Sequence, residues 1–161
     1  MRNLIIDGGN LLYRTYHAAL RADDQMLNSK GQNVTHVLYF IRKVKNLAKK
    51  YPSDKVFIAW DTRDKEFINF RQSSDAEYKE QRDESVSIEA HKNDKILLAM
   101  TQLLGIHNIQ PSKLEADDIV AWLCLDHLKD ADKNILISSD KDFLQLFALC
   151  PNLEMLSLIH I

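Results

Sequence analysis

Only two cysteines, Cys124 and Cys150, occur in the 161 residues. One lies in a helical pattern and the other near the chain end, which offers neither a C-x-x-C pair nor a disulfide framework and fits a reducing cytoplasm. Long apolar runs are also missing. The opening MRNLIIDGGN reaches Asp7 after three apolar residues, too few for the core of a signal peptide, and no later run approaches the ~20 residues that span a bilayer. Neither sign of charge dominates: 21 Lys and Arg face 23 Asp and Glu, a net charge of -2. No overall basic character announces a nucleic-acid partner, so only the distribution of charge can. The six histidines contain no H-x-x-x-H pair, which removes a common helical zinc signature. Internal repeats and low-complexity linkers are absent as well. What remains is a chain with 45% hydrophobic content, long enough for one core and best read as one domain.

The apolar residues that are present alternate between two periods. A short run at 4–6 closes on Asp7-Gly8-Gly9 and continues into Leu11, Leu12, Tyr13, Tyr16, Ala19 and Leu20 at helical spacing, which predicts strand, turn and helix. After a polar loop over 23–33, Val37, Phe40, Ile41, Val44 and Leu47 trace one face of a helix whose other positions carry Arg42, Lys43, Lys45, Lys49 and Lys50, until Pro52 ends it. Residues 56–60 then predict a buried strand ending at Asp61. The stretch 62–93 is highly charged and poor in aliphatic residues, so it is expected to project from the core. A helix over 96–104, stopped by Gly105, precedes a short strand at 106–109. Another helix starts near Glu115 and carries Ile119, Val120, Leu123 and Leu128. Residues 135–137 form a further buried strand, followed by Ser138-Ser139-Asp140 and a helix with Phe143, Leu144 and Phe147. Residues 153–161 alternate loosely like a strand. Strands separated by helices predict an α/β domain with a mainly parallel sheet, whose sites lie at the carboxyl ends of the strands.

Those ends are acidic. Asp7, Asp61, the group Glu115, Asp117 and Asp118 in LEADDI, and the pair Asp140 and Asp142 in SSDKDF all follow predicted strands or open helices. Singly, each has an ordinary explanation: Asp7 as a turn residue, Glu115 to Asp118 as companions of a helix dipole, Asp140 as an N-cap. Together they conflict, because two unit charges about 4 Å apart repel by roughly 4 kcal/mol at an effective dielectric near 20. Several such pairs would consume most of a domain's stability of about 5–15 kcal/mol. A bound cation removes the conflict, and an oxygen-only donor set selects a hard ion such as Mg2+ or Mn2+. Such sites suit phosphodiester hydrolysis, in which two ions about 3.5–4 Å apart assist the attacking and leaving oxygens. Cations to grip the phosphate are available in the charged stretch: Arg71 after Phe70, then Tyr78-Lys79 and Arg82, with Lys79 and Arg82 one helical turn apart. The competing reading of that stretch is a solvated helix in which Glu77 and Glu80 pair with these cations.

DGGNLLYRTYHA resembles the opening of the 5′ nuclease domain of bacterial DNA polymerase I, and YKEQRDE resembles phage flap endonucleases. The 5′-3′ exonuclease and flap endonuclease family has, in order, an aspartate after its first strand, another after a strand resembling VFIAWD, then FR with YK-x-x-R, then EADD, then a D-x-D pair. All five stand in register here. The resemblance implies a PIN-like (resolvase-like) α/β domain over 1–161, with a mobile helical arch at about 62–95 that orders around its substrate. It implies a first metal site at Asp7, Asp61, Glu115 and Asp117 with Asp118 close by, and a second toward which Asp140 and Asp142 lean. Lys79 and Arg82 take the catalytic role at the scissile phosphate, and Arg14, Arg71, Tyr78, Lys79 and Arg82 form the nucleic-acid contacts. The implied cofactors are two Mg2+ (or Mn2+) ions. The implied partners are DNA with 5′ single-stranded flaps or ends, or an RNA-DNA hybrid such as a primer, handled by a monomer with no membrane association in a bacterial or phage-infected cell.

The chain departs from that pattern in three respects. It stops before the family's G-D-x-x-D-N segment and the helical duplex-binding region, so the second metal site is expected to be incomplete. Residues 156–161 resemble a tail translated from adapter DNA. The gap between Asp61 and Phe70 is longer than in polymerase-linked members. Three alternatives are carried: a catalytically incomplete nucleic-acid-binding fragment, a PIN-type ribonuclease, against which the ordered FR, YK-x-x-R and EADD set argues because simple PIN ribonucleases lack the arch segment, and an aspartate phosphatase, for which position nine is the wrong residue, Gly9.

Overall fold

The structure is a computed structural model that describes residues 1–23, 25–62, 64, 66 and 88–157. In chain order the elements are β1 (Arg2–Asp7), α1 (Gly8–Leu20), α2 (Thr35–Lys50), β2 (Lys55–Ala59), α3 (Asp94–Leu103), β3 (His107–Ile109), α4 (Ala116–Trp122), β4 (Lys133–Ile137) and β5 (Leu153–Leu156). A π-helical turn, Leu123–His127, extends α4, and a 3₁₀ helix, Lys141–Ala148, joins β4 to β5. The five strands form one sheet in the order β3-β2-β1-β4-β5. Every pairing is parallel, so the mainly parallel sheet of the sequence reading is parallel throughout the described residues.

A parallel sheet needs cover on both faces, and the period-two alternation of the strands supplies two cores. Leu4, Ile6, Ile58, Ile135 and Ile137 face Leu11, Phe40, Val44, Leu47 and Leu97 from α1, α2 and α3. Ile5, Phe57, Ala59 and Leu136 face Ile119 and Val120 from α4 and Leu123 from the π turn, with Phe143 and Leu146 from the 3₁₀ helix. The predicted α2 face, Val37, Phe40, Ile41, Val44 and Leu47, is buried in full. In the centre of the sheet Asn3 and Asn134 are register partners and both are fully buried. Asn3 Nδ2 donates to Asn134 Oδ1 at 2.8 Å, and Asn134 Nδ2 donates to the Leu128 carbonyl at 3.0 Å. A slip of one residue would strand these amides in an apolar layer, so the pair pins β1 against β4.

Three sequence expectations are corrected. Gly8 and Gly9 are not a turn: α1 starts directly at Gly8, with Asp7 as its N-cap, and neither glycine has positive φ. The inward stripe of α1 is Gly8, Leu11, Leu12 and Thr15, an i, i+3, i+4, i+7 set, which leaves Tyr13 and Leu20 exposed. In the last helix Phe143 and Leu146 point inward while Leu144 and Phe147 are exposed, because three residues per turn stack positions 143 and 146. A π turn explains one apparent irregularity. Leu128 N donates to Leu123 O at 2.7 Å, and this five-residue step brings Leu128 onto the buried face. The strand expected over 153–161 forms at Leu153–Leu156, and residues 158–161 lie outside the described residues.

Cys124 and Cys150 are free and buried in the α4 core. Burial, then the neighbouring Cys150 sulfur, pushes the Cys124 thiol up to about 12. Since the thiolate is the reactive form, an alkylating reagent at pH 8 is expected to leave both thiols unmodified in the native chain and to label both after unfolding in guanidinium. Fast labelling of the native protein in a mass spectrum would contradict this burial. Among the described residues no helix is long and apolar enough to cross a membrane.

Candidate metal and nucleic-acid site

Four adjacent strands end on acidic residues at one edge of the sheet. β1 ends at Asp7 itself, β2 is followed by Asp61, β3 leads to Glu115 at the start of α4, and β4 leads through Ser138 to Asp140. The parallel arrangement brings together positions more than 130 residues apart in the chain, since Ser138 Oγ donates to Asp7 Oδ2 at 2.8 Å.

Each carboxylate has a defined seat. Asp7 Oδ1 accepts from the Asn10 backbone N–H at 3.0 Å, capping α1. Asp61 Oδ1 accepts from Ala116 N at 3.0 Å, so it sits at the positive end of α4. Glu115 and Asp118 form a reciprocal capping box on α4, with Asp118 Oδ2 accepting from Glu115 N at 3.1 Å. Asp117 Oδ1 accepts from Asp118 N at 2.8 Å. Asp140 Oδ1 caps the 3₁₀ helix through Asp142 N at 3.0 Å. The ordinary capping explanations of the sequence are therefore real, and they do not compete with metal binding, because each carboxylate has about four lone-pair positions.

Gly8 and Gly9 set the spacing. A Cβ on Gly8 would lie 2.6 Å from Trp60 Cε3 and 2.8 Å from both Ala59 O and Ile58 Cγ2. Only a bare Cα lets α1 start flush against the end of β2, beside Asp61. A Cβ on Gly9 would lie 3.8 Å from Asp7 Oδ1 and 3.9 Å from Asp61 Oδ2. Gly9 thus faces a gap with a carboxylate on either side.

Electrostatics tie the edge together. Burial raises the Asp7 pKa above its ordinary value, opposed by the hydrogen bonds from Asn10 and Ser138, and the charges of Asp61 and Asp140 raise it further. Asp117 is also raised, first by partial burial of its carboxyl group and then by Asp118, Glu115 and Asp61, against its hydrogen bond with Asp118. Asp61 is felt by both halves of the cluster. Among the described residues no three Asp, Glu, His or Cys side chains are already grouped tightly enough to hold an ion. The carboxylates lean instead on backbone N–H groups and on Ser138, as mutually repelling anions do. The donor set is nevertheless all oxygen, its members repel across the open gap at Gly9, and these features fit a hard divalent cation.

Arg14 is exposed in the second turn of α1. Arg71, Tyr78, Lys79 and Arg82, with most of the arch expected over 62–95, lie outside the described residues. Sequence reasoning missed Ser138 and Asn10. Ser138 is fully buried and also accepts from Asp140 N at 3.1 Å, so one hydroxyl links the end of β1 to the loop after β4. Asn10 Oδ1 accepts from Ser139 Oγ at 2.9 Å. Serines directly after a buried strand were the available signal, since such hydroxyls commonly bond nearby loop groups.

Fold and site together define a resolvase-like α/β domain with an acidic strand-end centre. A family model described as the 5′-3′ exonuclease, N-terminal resolvase-like domain, matches residues 2–158. The chain belongs to that family of nucleases. It is 32% identical over 154 residues to DNA polymerase I of Treponema pallidum, a match covering 96% of this chain and 15% of the polymerase. It is 30% identical over 145 residues to a 5′-3′ exonuclease of Buchnera aphidicola from Schizaphis graminum, covering 89% of this chain and 47% of that protein. The chain therefore spans about half the length of such an exonuclease. A phage T5 protein crystallised with metal ions has the same fold, with TM-score 0.67 and 22% identity over 99% of this chain and 56% of that one. A phage T5 flap endonuclease solved with DNA and metal ions aligns with TM-score 0.65 and 19% identity over the same shares, 99% and 56%.

Proposed function

We propose that this chain is the catalytic domain of a divalent-metal-dependent, structure-specific 5′-3′ nuclease that hydrolyses phosphodiester bonds at DNA 5′ ends or flaps, or in RNA primers, during replication and repair. The observation that carries this reading is the delivery of acidic residues by four consecutive strand ends to one edge, with Asp7 and Asp61 facing each other across Gly9. Asp7, Asp61, Glu115 and Asp117 would hold one Mg2+ or Mn2+ ion, with Asp118 supporting the loop. Asp140 and Asp142 would lean toward a second. When bound, such ions supply a hydroxide nucleophile near neutral pH and stabilise the leaving oxygen.

The chain's own residues orient that chemistry. Ser138 and Asn10 fix the rotamer of Asp7, and the α4 N-terminus fixes Asp61. Arg14, Arg71, Tyr78, Lys79 and Arg82 would bind the strand, with Lys79 and Arg82 neutralising the phosphate that is cut. The ordered FR and YK-x-x-R set favours this reading over a simple PIN-type ribonuclease. The working protein is read as a cytoplasmic monomer.

The test is cleavage of a labelled 5′-flap duplex. Activity is expected with Mg2+, absent with EDTA, and reduced by about 10²-fold or more in Asp7→Asn and in Asp140→Asn, since even groups behind metal ligands commonly contribute 10–100-fold. Metal-stimulated binding without any product would support the nucleic-acid-binding module instead. Undiminished cutting by both variants would overturn the acidic-site reading.

A further inference from the structure

We infer that Ser138, Ser139 and Asn10 form a hydrogen-bonded clamp that holds the loop after β4 against the end of β1, and that they are positioning residues for divalent-metal capture. The inference rests on the nuclease reading above. It extends that reading from the carboxylates to the neutral groups that place them.

The β1–β4 register runs from Arg2 with Lys133 to Ile6 with Ile137. Beyond that last pair, side chains take over from the backbone ladder. Ser138 Oγ donates to Asp7 Oδ2 at 2.8 Å and accepts from Asp140 N at 3.1 Å. Ser139 Oγ donates to Asn10 Oδ1 at 2.9 Å, and Asn10 N donates to Asp7 Oδ1 at 3.0 Å. These contacts close a ring: from Asp7 to Ser138, along the chain to Ser139, across to Asn10, and back to Asp7. The Ser139–Asn10 bond touches no carboxylate, so any effect it has on metal binding passes through position alone.

The ring works against electrostatics. Asp140 repels Asp7, as Asp61 does, so in the metal-free chain that repulsion drives the Asp140 loop away from the sheet edge. Two hydroxyls from consecutive serines oppose the drift. Ser138 is fully buried and Asp7 is only 8% exposed, so water is poorly placed to replace the hydroxyl, and its loss leaves Asp7 Oδ2 and Asp140 N without these partners. The ring also decides which lone pairs stay free. Each Asp7 oxygen spends one acceptor position on it and keeps another, and Oδ1 borders the gap at Gly9 that faces Asp61 Oδ2. Asp7 belongs to one proposed ion position and Asp140 to the other. The clamp therefore sets the spacing between the two positions before an ion arrives, and a divalent cation meets carboxylates already gathered rather than having to gather them.

The experiment is titration calorimetry with Mn2+ on the wild type, Ser139→Ala, Asn10→Ala, the double variant and Ser139→Thr, with melting curves in EDTA on the same samples. Asn10→Ala keeps the backbone N–H that caps α1, so both single variants delete the same side-chain bond. Each is expected to weaken Mn2+ binding by about 10-fold, the lower end of the range for groups behind metal ligands. The double variant is expected to lose about 10-fold as well, rather than about 100-fold, because one shared bond is lost only once. Ser139→Thr keeps the hydroxyl and is expected to bind as the wild type does. In flap cleavage, the Mg2+ concentration for half-maximal rate should rise with the loss of affinity, and excess Mg2+ should restore most of the rate. Unchanged Mn2+ affinity in Ser139→Ala or in Asn10→Ala, even with a lower Tm, would mark the bond as merely structural and overturn the proposal. Losses that multiply in the double variant would overturn it too. A wild type that binds Mn2+ through the clamp but never cuts keeps the clamp and sinks the nuclease reading. A wild type that cuts, with clamp variants that bind Mn2+ normally, sinks the clamp alone, and one that takes up no Mn2+ sinks both.

Discussion

Asp7→Asn is expected to stabilise the metal-free chain at neutral pH while reducing metal-dependent cleavage by about 10²-fold or more. The sign follows from the proton equilibrium of Asp7. Its folded-state pKa is raised above 3.8, chiefly by burial and further by Asp61 and Asp140, so the folded chain retains the Asp7 proton to higher pH than the unfolded chain does. Stability contributed by this group is fully present below the unfolded value, falls as pH rises through the window between the two values, and is lost above the folded one. An amide never ionises, so the gain in Tm over wild type is expected to be largest near pH 7 and to vanish toward pH 4. Asparagine can keep most of the seat: its carbonyl accepts from Asn10 N as Asp7 Oδ1 does, and its amide meets Ser138 Oγ by reversing the present bond, in which Ser138 donates. Saturating Mg2+ should invert the order, because a ligand that binds only the folded state raises wild-type stability in proportion to the logarithm of its concentration. Melting curves at several pH values, with and without Mg2+, decide the matter. A variant less stable than wild type at pH 7 in EDTA, or equally stabilised by Mg2+, would contradict the view of Asp7 as a carboxylate held for a cation.

Gly8→Ala is expected to cause the largest loss of stability from a single added methyl group, whereas Gly9→Ala should be nearly neutral for folding. At Gly8 the new Cβ meets Trp60 Cε3 at 2.6 Å and Ala59 O at 2.8 Å. The carbonyl belongs to a central strand, and the indole is held by stacking on Phe40 at 5.6 Å and by its N–H bond to Asn108 Oδ1 at 3.0 Å. Neither can yield cheaply, so the cost should reach about 3 kcal/mol, the upper part of the range for overpacked cores. At ~2–4 °C per kcal/mol for a chain of this size, Tm should fall by roughly 6–12 °C. At Gly9 the nearest atoms are 3.8 and 3.9 Å away, ordinary contact distances. A methyl group there intrudes only on the gap between Asp7 and Asp61. Gly9→Ala should therefore fold normally, melt close to wild type, and bind divalent ions more weakly by titration calorimetry. Equal melting of the two variants would refute the close-approach explanation of Gly8.

Much of this was legible in the chain because its elements are strongly periodic. The α2 face from Val37 to Leu47, the strands around Ile5, Ile58 and Leu136, and the stop at Gly105 (φ +75) all follow from local pattern and local sterics. Two features escaped, one for a local reason and one for a tertiary reason. The helix after β4 is wound at three residues per turn, which interchanges the buried and exposed members of Phe143, Leu144, Leu146 and Phe147. The DGG step looks like a turn until the approach of Trp60 explains Gly8 and the gap between Asp7 and Asp61 accounts for Gly9. Asn3 and Asn134 gave no signal, since a lone asparagine in an apolar run says nothing about a partner on another strand.

The sequence by itself determined the family, the α/β alternation, and the identity of the acidic residues at the ends of the strands. These depend on residue types and spacing along one chain. Only the tertiary structure decided that Asp7 is joined to the β4 loop through Ser138, that Asp61 rests on the α4 N-terminus, and that Gly9 leaves the space between the two carboxylates. Those relations depend on strand order, and strand order is set by which apolar faces and buried amides fit one another across the sheet.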